Sequence, residues 1–419
     1  MSSRALAVID GEHYPPVVRD ALADLPHDVV AAVLVGGTEK LRGDADYGVP
    51  LAPNVEAAID RYRPEIVVDL SDEPVLGPVE RLALASRVLS HGIPYEGADF
   101  RLDPPSFEPF ELPSLAVGGT GKRVGKTALT GHLARLASEH RRVVVVAMGR
   151  GGPPDPETVR VQPTVEALVA LSREGRHAAS DHLETAALVG VETVGCRRCG
   201  GGLAGAVFAS NVAEGAAVAA ALGPDLVVFD GSGAALPPIA ADRMILAVGG
   251  HQDPAVAAGY LNAFRLLRAD LVIVTMAETG SGWEHVRDAV AAVVPSGVEV
   301  LATVLRPRPL EDVRGRTVAY FCTAPPSAHA VLAAHLADAY GANVAHVSGN
   351  LADRSALRAE LQGLGADVYL VELKAAAVDV VAESAIERGL DVVLAANDVV
   401  PVDGLDLDGM LLEMAGIGV

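Results

Sequence analysis

The sequence predicts an α/β protein of several units, with a central, mostly parallel sheet flanked by amino- and carboxy-terminal α/β units of Rossmann-like layering. Three observations lead there. Short β-branched runs alternate with Ala/Leu-rich stretches almost from end to end, the pattern of parallel strands joined by crossover helices. At 419 residues the chain is too long for one core. Two proline-broken stretches, "DPPSFEPFELPS" and "LRPRPLEDVRG", interrupt the alternation at Asp103–Ser114 and at residues 305–315. We therefore expect units over 1–112, 113–304 and 305–419.

The elements follow in order. "RALAVID", "HDVVAAVLVGG" and "PEIVVDL" read as buried strands, separated by "PPVVRDALADL" and "NVEAAIDRY" with apolar residues at helical spacing. In the central unit "LAVGG" is a strand running into a glycine-rich loop. "KTALTGHLARLASEH" is the helix behind it, with Leu129, Leu133 and Leu136 along one side. "RRVVVVAMGRGG", "GPDLVVFDGSG", "DRMILAVGG" and "ADLVIVTMAE" supply further strands, each ending in residues suited to the ligand edge of an open sheet. In the last unit "RTVAYFCTAP", "NVAHVSGN", "DVYLVELKA" and "LDVVLAAND" are strands, and "SAHAVLAAHLADAYG" and "AVDVVAESAIERG" are helices closed by glycine.

Composition narrows the function. Thirty-three basic residues stand against 54 acidic ones, a net charge of −21, which argues against nucleic acid or an anionic membrane as partner. A small anion held by a local basic cluster is compatible with it. Three cysteines are too few for a disulfide scaffold, "MSSRALAVID" lacks the apolar core of a secretory signal, and no run is long enough to span a bilayer. A cytoplasmic protein is expected, assembling as a homo-oligomer with a dimer the simplest form.

The stretch "GGTGKRVGKT" carries the chemistry. A phosphate loop needs a preceding strand, glycines that let backbone N–H groups turn inward, a Lys, a Thr, and a helix whose N-terminus faces the anion. Gly119, Thr120, Gly121, Lys122, Arg123, Val124, Gly125, Lys126 and Thr127 meet these demands, although Thr120 stands where the usual spacing has its first glycine. The central unit is thus expected to be of the P-loop NTPase type, with Lys126 on the β- and γ-phosphates of ATP and the Thr127 hydroxyl on Mg²⁺. Lys122 and Arg123 add two cations. Asp230, after four apolar residues, suits the strand-end carboxylate that completes a metal site; its plain reading is a turn cap. Glu157 is a candidate second carboxylate. Met276 occupies the place of the lysine that GTP-binding relatives use, so ATP is favoured over GTP.

Further basic residues, Arg150, Arg197 and Arg198, suit the phosphates of a substrate. Asp10, Glu12 and His13 close the first strand, where they suit substrate contact or proton handling; the alternative is a local turn. Lys40 sits beside a second glycine turn. Cys196 and Cys199 form a Cys-x-x-Cys pair without two further ligands of suitable spacing, and free thiols are the default.

The long loop ending "GTGKRVGKT" resembles the variant in dethiobiotin synthetase-like ATP-dependent ligases. Together, "VIDGEHYPPVV", "VLVGGTEKL", "GTGKRVGKTA", "RPRPLEDVRGR" and "DVYLVELKAAAVDVV" resemble the cyclic 2,3-diphosphoglycerate synthetase family, and they are spread over the whole chain. That resemblance implies an ATP-dependent enzyme that joins the two phosphates of 2,3-bisphosphoglycerate in an intramolecular phosphoanhydride, releasing ADP and phosphate. Two rivals stay open at this point: a dethiobiotin synthetase-like ligase acting on another anion, and a nucleotide-switched metal carrier.

Overall fold

A computed structural model describes residues 2–37, 46–402 and 404–418. The amino-terminal unit is built on a six-stranded sheet whose centre is Arg4–Ile9, flanked in parallel by Asp28–Leu34 and Ile66–Asp69. Five of the six residues of Arg4–Ile9 are buried, as expected for a strand covered on both faces. The unit leans on the next one through helix Pro78–Ser90: the Ser86 hydroxyl donates to the Tyr260 carbonyl at 2.8 Å, and Leu84 and Leu89 share a core with Leu236, Leu261 and Phe264. A short ribbon also ties Glu108–Pro109 to Ile239–Ala240.

The rest of the chain is organised by one 13-stranded sheet. Its central part runs Glu192–Cys199, Val143–Gly149, Leu226–Asp230, Ser114–Gly119, Arg243–Gly249, Leu271–Thr275 and Glu299–Pro309, every neighbouring pair parallel. Ser114–Gly119, the strand that enters the loop, is buried throughout. Helix Lys126–Ser138 covers it, burying Leu129, Leu133 and Ala137 against Leu115, Val117 and Val145; Leu136 packs at the margin.

The reading of residues 305–315 as a connector is corrected in part by the structure: Glu299–Pro309 is one 11-residue strand, and the irregular connection is confined to residues 310–316. It pairs with Leu271–Thr275 only as far as Ala302, and its remainder pairs antiparallel with Asp391–Pro401, Thr303 facing Pro401 and Pro309 facing Ala395. Two prolines are tolerated because of parity. The Leu310 N–H donates to Leu394 and the Ala302 carbonyl accepts from Val402, so even-numbered residues address that partner, while Pro307 and Pro309 turn their donorless nitrogens to the other, unpaired edge. Arg306 clamps Glu278 at 2.6 and 3.1 Å, and Arg308 donates to Asp398 at 2.9 Å. The carboxy-terminal strands Thr317–Phe321, Asn343–Ser348 and Val368–Glu372 thus continue the central sheet, and the division at 305 falls inside a strand.

The antiparallel junction sets the geometry of everything that follows. Val368–Glu372 runs parallel to Asp391–Ala395, with Glu372 beside Ala395. Its carboxyl end therefore points back toward the central unit, while the central strands end toward the carboxy-terminal unit. Ligands of open α/β sheets collect at carboxyl ends, and here two such edges face one another.

Candidate active site

The loop is held from below and behind. Gly125 caps the following helix with a left-handed backbone, φ 79°, and a Cβ there would meet the Thr275 side chain at 3.0 Å. Thr275 donates its hydroxyl to the Val124 carbonyl at 3.0 Å, while Val124 is buried beneath the loop. At the other end the Thr120 hydroxyl donates to Gln252 Oε1 at 2.5 Å, an oxygen that also accepts from the Gly249 N–H at 3.0 Å. The non-glycine residue at the first loop position thus has a specific partner. Gly119 leaves room for the Lys126 stem, which a Cβ would strike at 2.8 Å.

Lys126 is only 8% exposed and its Nζ reaches the Gly121 carbonyl at 3.5 Å. Burial depresses its pKa, opposed first by Asp230 and then by Asp181. Asp230, 3% exposed, accepts from the Thr130 hydroxyl at 3.0 Å. Burial pushes its carboxyl up to about 7; Lys126 works the other way and Asp181 adds to the rise. Asp181 begins helix Asp181–Val189 and packs its carboxylate onto Gly149. Burial raises its pKa too, opposed chiefly by Lys126. One ammonium beside two crowded carboxylates leaves the site short of positive charge, and that donor set, with the Thr127 hydroxyl in the first helical turn, fits a divalent cation.

Glu157 does not join this group. It lies on the edge strand Glu157–Val159, three strand spacings from Asp230 and so about 14 Å away laterally. Its oxygens take Arg176 at 3.1 and 3.2 Å. The second carboxylate beside Lys126 is Asp181, a residue that sequence reasoning passed over. No local spacing marked it: that Asp181 and Glu184 belong to a helix with no exposed residue, "DHLETAALV", is seen only in the fold.

The arginines divide. In strand Glu192–Cys199 successive side chains alternate faces, so Arg197 and Arg198 do not work as a pair. Arg197 is exposed and donates to the Gly152 carbonyl at 2.8 Å. Arg198 is buried, donates to the carbonyls of Gly200 and Ser232, and keeps an unpartnered Nε. Burial lowers its pKa and Arg150 lowers it further, so Arg150 lies in the same field. Gly233 sits between the Arg198 guanidinium and the Lys122 stem, which a Cβ would approach at 3.5 and 3.7 Å. Lys122, Arg150 and Arg198 thus flank the loop on the Asp230 side, and Arg123 is exposed with φ 60°.

Asp10, Glu12 and His13 gather at the edge of the amino-terminal sheet. His13 Nδ1 is 3.2 Å from Asp10 Oδ1, and Asp10 also accepts from the N–H groups of Glu12 and Asp72, each at 3.0 Å. Burial works to raise the Asp10 carboxyl, but these donors outweigh it and hold the group below its ordinary value. Lys40 lies outside the described residues. Cys196 is buried, its thiol pushed up to about 12 by burial, whereas Cys199 is exposed; three apart in one strand, they face opposite sides and do not form a chelate. Among the described residues no helix is long and apolar enough to cross a membrane.

Comparison with known proteins covers nearly the whole chain. Family models for the cyclic 2,3-diphosphoglycerate synthetase N-terminal domain, P-loop domain and C-terminal domain match residues 4–103, 114–304 and 309–398. The chain is 52% identical to the cyclic 2,3-diphosphoglycerate synthetase of Rubrobacter xylanophilus, covering 98% of this chain and 97% of that one. The enzymes of the same name from Thermococcus gammatolerans and Methanothermus fervidus are 44% and 40% identical, over 98% and 100% of this chain and 96% and 98% of theirs. A phosphate loop braced by Thr275 and Gln252, set in a chain that matches these relatives from end to end, places the protein in the cyclic 2,3-diphosphoglycerate synthetase family.

Proposed function

We propose that this chain uses ATP to close 2,3-bisphosphoglycerate into cyclic 2,3-diphosphoglycerate, releasing ADP and inorganic phosphate. The observation that carries the reading is the buried Lys126 at the head of a braced phosphate loop, with Asp230, Asp181 and Arg198 in its electrostatic field. A substrate phosphate oxygen attacks the γ-phosphorus and the bond to ADP breaks, leaving a pyrophosphate on the substrate. An oxygen of the second substrate phosphate then attacks the substrate-bound phosphorus of that pyrophosphate. The ring anhydride forms as the terminal phosphate departs.

In this reading Gly119 to Thr127 hold the triphosphate, and Lys126 neutralises the transferring group. Thr127 and Asp230, with Asp181 in place of Glu157, would hold Mg²⁺, which offsets phosphate charge when bound. Lys122, Arg123, Arg150 and Arg198 receive the substrate phosphates. Arg197 is assigned to the outer rim, and Asp10, Glu12 and His13 to the substrate's carboxylate end or to proton handling. Holding both phosphates in contact turns an otherwise repulsive encounter into an intramolecular one. The net charge of −21 suits a small anion rather than a polyanion, and we assign the protein to the cytoplasm as a homodimer.

Phosphorus NMR of purified protein with Mg-ATP and 2,3-bisphosphoglycerate tests the reading. Upfield anhydride resonances of a cyclic product, appearing with ADP and phosphate, are expected. ADP without those resonances would refute it and return the field to a ligase acting on another anion.

A further inference from the structure

The carboxyl edge of the carboxy-terminal unit contributes one cation to the space above the loop. Lys374 stands two residues past the end of strand Val368–Glu372 and is followed by Ala375 with φ 47° and a π-helical stretch, Ala377–Ala382. Such irregular backbone at a strand end is the kind of local cost that accompanies the precise placement of a side chain. Lys374 Nζ lies 3.8 Å from Glu184 Oε1, across the boundary between the two units. The Lys374 side chain remains 34% exposed whereas that of Glu184 is 6% exposed, so the lysine stem reaches solvent and the carboxylate hardly does. Both line a cavity of about 30 Å³ that Thr127, the loop threonine, also lines. Lys374 belongs to the electrostatic surroundings of Lys126 and of Asp181.

We propose that Lys374 is a phosphate-binding residue of this active site, supplied by the carboxy-terminal unit and parked on Glu184 until the anions arrive. The inference rests on the functional reading above. Two features separate it from an ordinary structural ion pair. A structural lysine would be enclosed with its partner, whereas this side chain is far more exposed than Glu184 and lines the cavity that Thr127 also lines. Glu184 is also oversupplied with negative neighbours: burial pushes its carboxyl up to about 8, Lys374 opposes that, and Asp181, Glu372 and Asp230 add to it. Phosphates entering beside Lys126 would draw the ammonium away, and Glu184 is then free to take a proton rather than remain a buried, unpaired charge. The lysine thereby joins the two facing carboxyl edges through the substrate.

Three variants test this: Lys374→Met, Lys374→Arg, and Lys374→Met combined with Glu184→Gln. In Lys374→Met, kcat/KM for 2,3-bisphosphoglycerate should fall roughly 100-fold or more, while the Kd of Mg-ATP in the absence of second substrate changes by no more than about threefold. Lys374→Arg should restore part of the loss. The double variant removes one of the two buried acids that Lys374 neutralises, Glu372 being the other, so it should regain part of the melting temperature lost in Lys374→Met and stay inactive. Recovery of wild-type kcat/KM in the double variant would show that the lysine only neutralises Glu184 and would overturn the proposal, as would a single variant of undiminished kcat/KM. Wild-type protein run alongside separates the two levels: no cyclic product there overturns the functional reading and this one together, whereas equal product from wild type and Lys374→Met overturns this one alone.

Discussion

Replacing Asp230 by Asn should make the ligand-free protein less sensitive to alkali and nearly inactive. The wild-type carboxyl is buried and pushed up to about 7 from an ordinary 3.8. A carboxyl whose folded value is raised binds more protons in the native state, so stability is lost as pH rises from the unfolded value to the folded one and is level above it. The penalty is roughly 2 kcal/mol at pH 5.5 and roughly 4 kcal/mol by pH 8.5. Asn keeps the shape and still accepts from Thr130, but it does not titrate. The variant should therefore lose about 2 kcal/mol of the stability difference between those two pH values. Lys126 acts in the same sense: without Asp230 its pKa falls further, and a lysine depressed by burial gains stability as pH rises. Glu184, whose carboxyl Asp230 helps to raise, loses that push in the variant and so moves the comparison in the same direction. The assay is thermal unfolding of wild type and variant in metal-free buffer at pH 5.5 and 8.5, followed by titration with Mg²⁺ at pH 8.5. Wild type should gain stability with the metal and the variant should not, while turnover falls by roughly 100-fold. A variant with the wild-type pH slope, or with an undiminished response to Mg²⁺, would refute both the placement of the charge and its role.

Other substitutions give sharper or simpler outcomes. Lys126→Ala should lower kcat by at least about 100-fold, since the transferring phosphoryl loses its buried cation; coupled ADP-release kinetics measure it, and wild-type turnover would remove the loop from catalysis. Gly125→Ala places a Cβ in a left-handed backbone at 3.0 Å from Thr275, and should cost about 1–2 kcal/mol of stability and weaken binding of a fluorescent ATP analogue. Cys199→Ser should leave kcat/KM unchanged, because the exposed thiol faces away from buried Cys196; a large loss would revive a metal-binding role for the pair.

Much of the architecture was readable because burial writes itself into β-branched runs: "VVVVAMG", "LVVFD" and "LVIVT" each became a strand in the central sheet. The loop was readable because Gly125, Lys126 and Thr127 are contiguous. What escaped was whatever depends on distant pairing. Pro307 and Pro309 suggested a connector, and only the strand Asp391–Pro401, some ninety residues on, makes them acceptable by taking the opposite edge. Glu157 looked like a ligand from its loop, but sheet order put three strand spacings between it and Asp230. Asp181 and Lys374 approach Lys126 from a helix and from another unit, and no local spacing encodes that approach. Arg197 and Arg198 were adjacent in sequence, and strand alternation sent them to opposite faces.

The splice between Glu299–Pro309 and Asp391–Pro401 has a mechanical corollary. Separating the central and carboxy-terminal units would mean unzipping seven paired residues, Thr303 to Pro309, whose even-numbered members carry the main-chain bonds, far costlier than rotating about a few loop dihedrals. Those two units therefore act as a single fixed jaw. The amino-terminal unit is joined to them by one helix face and a two-residue ribbon, a far lighter seam.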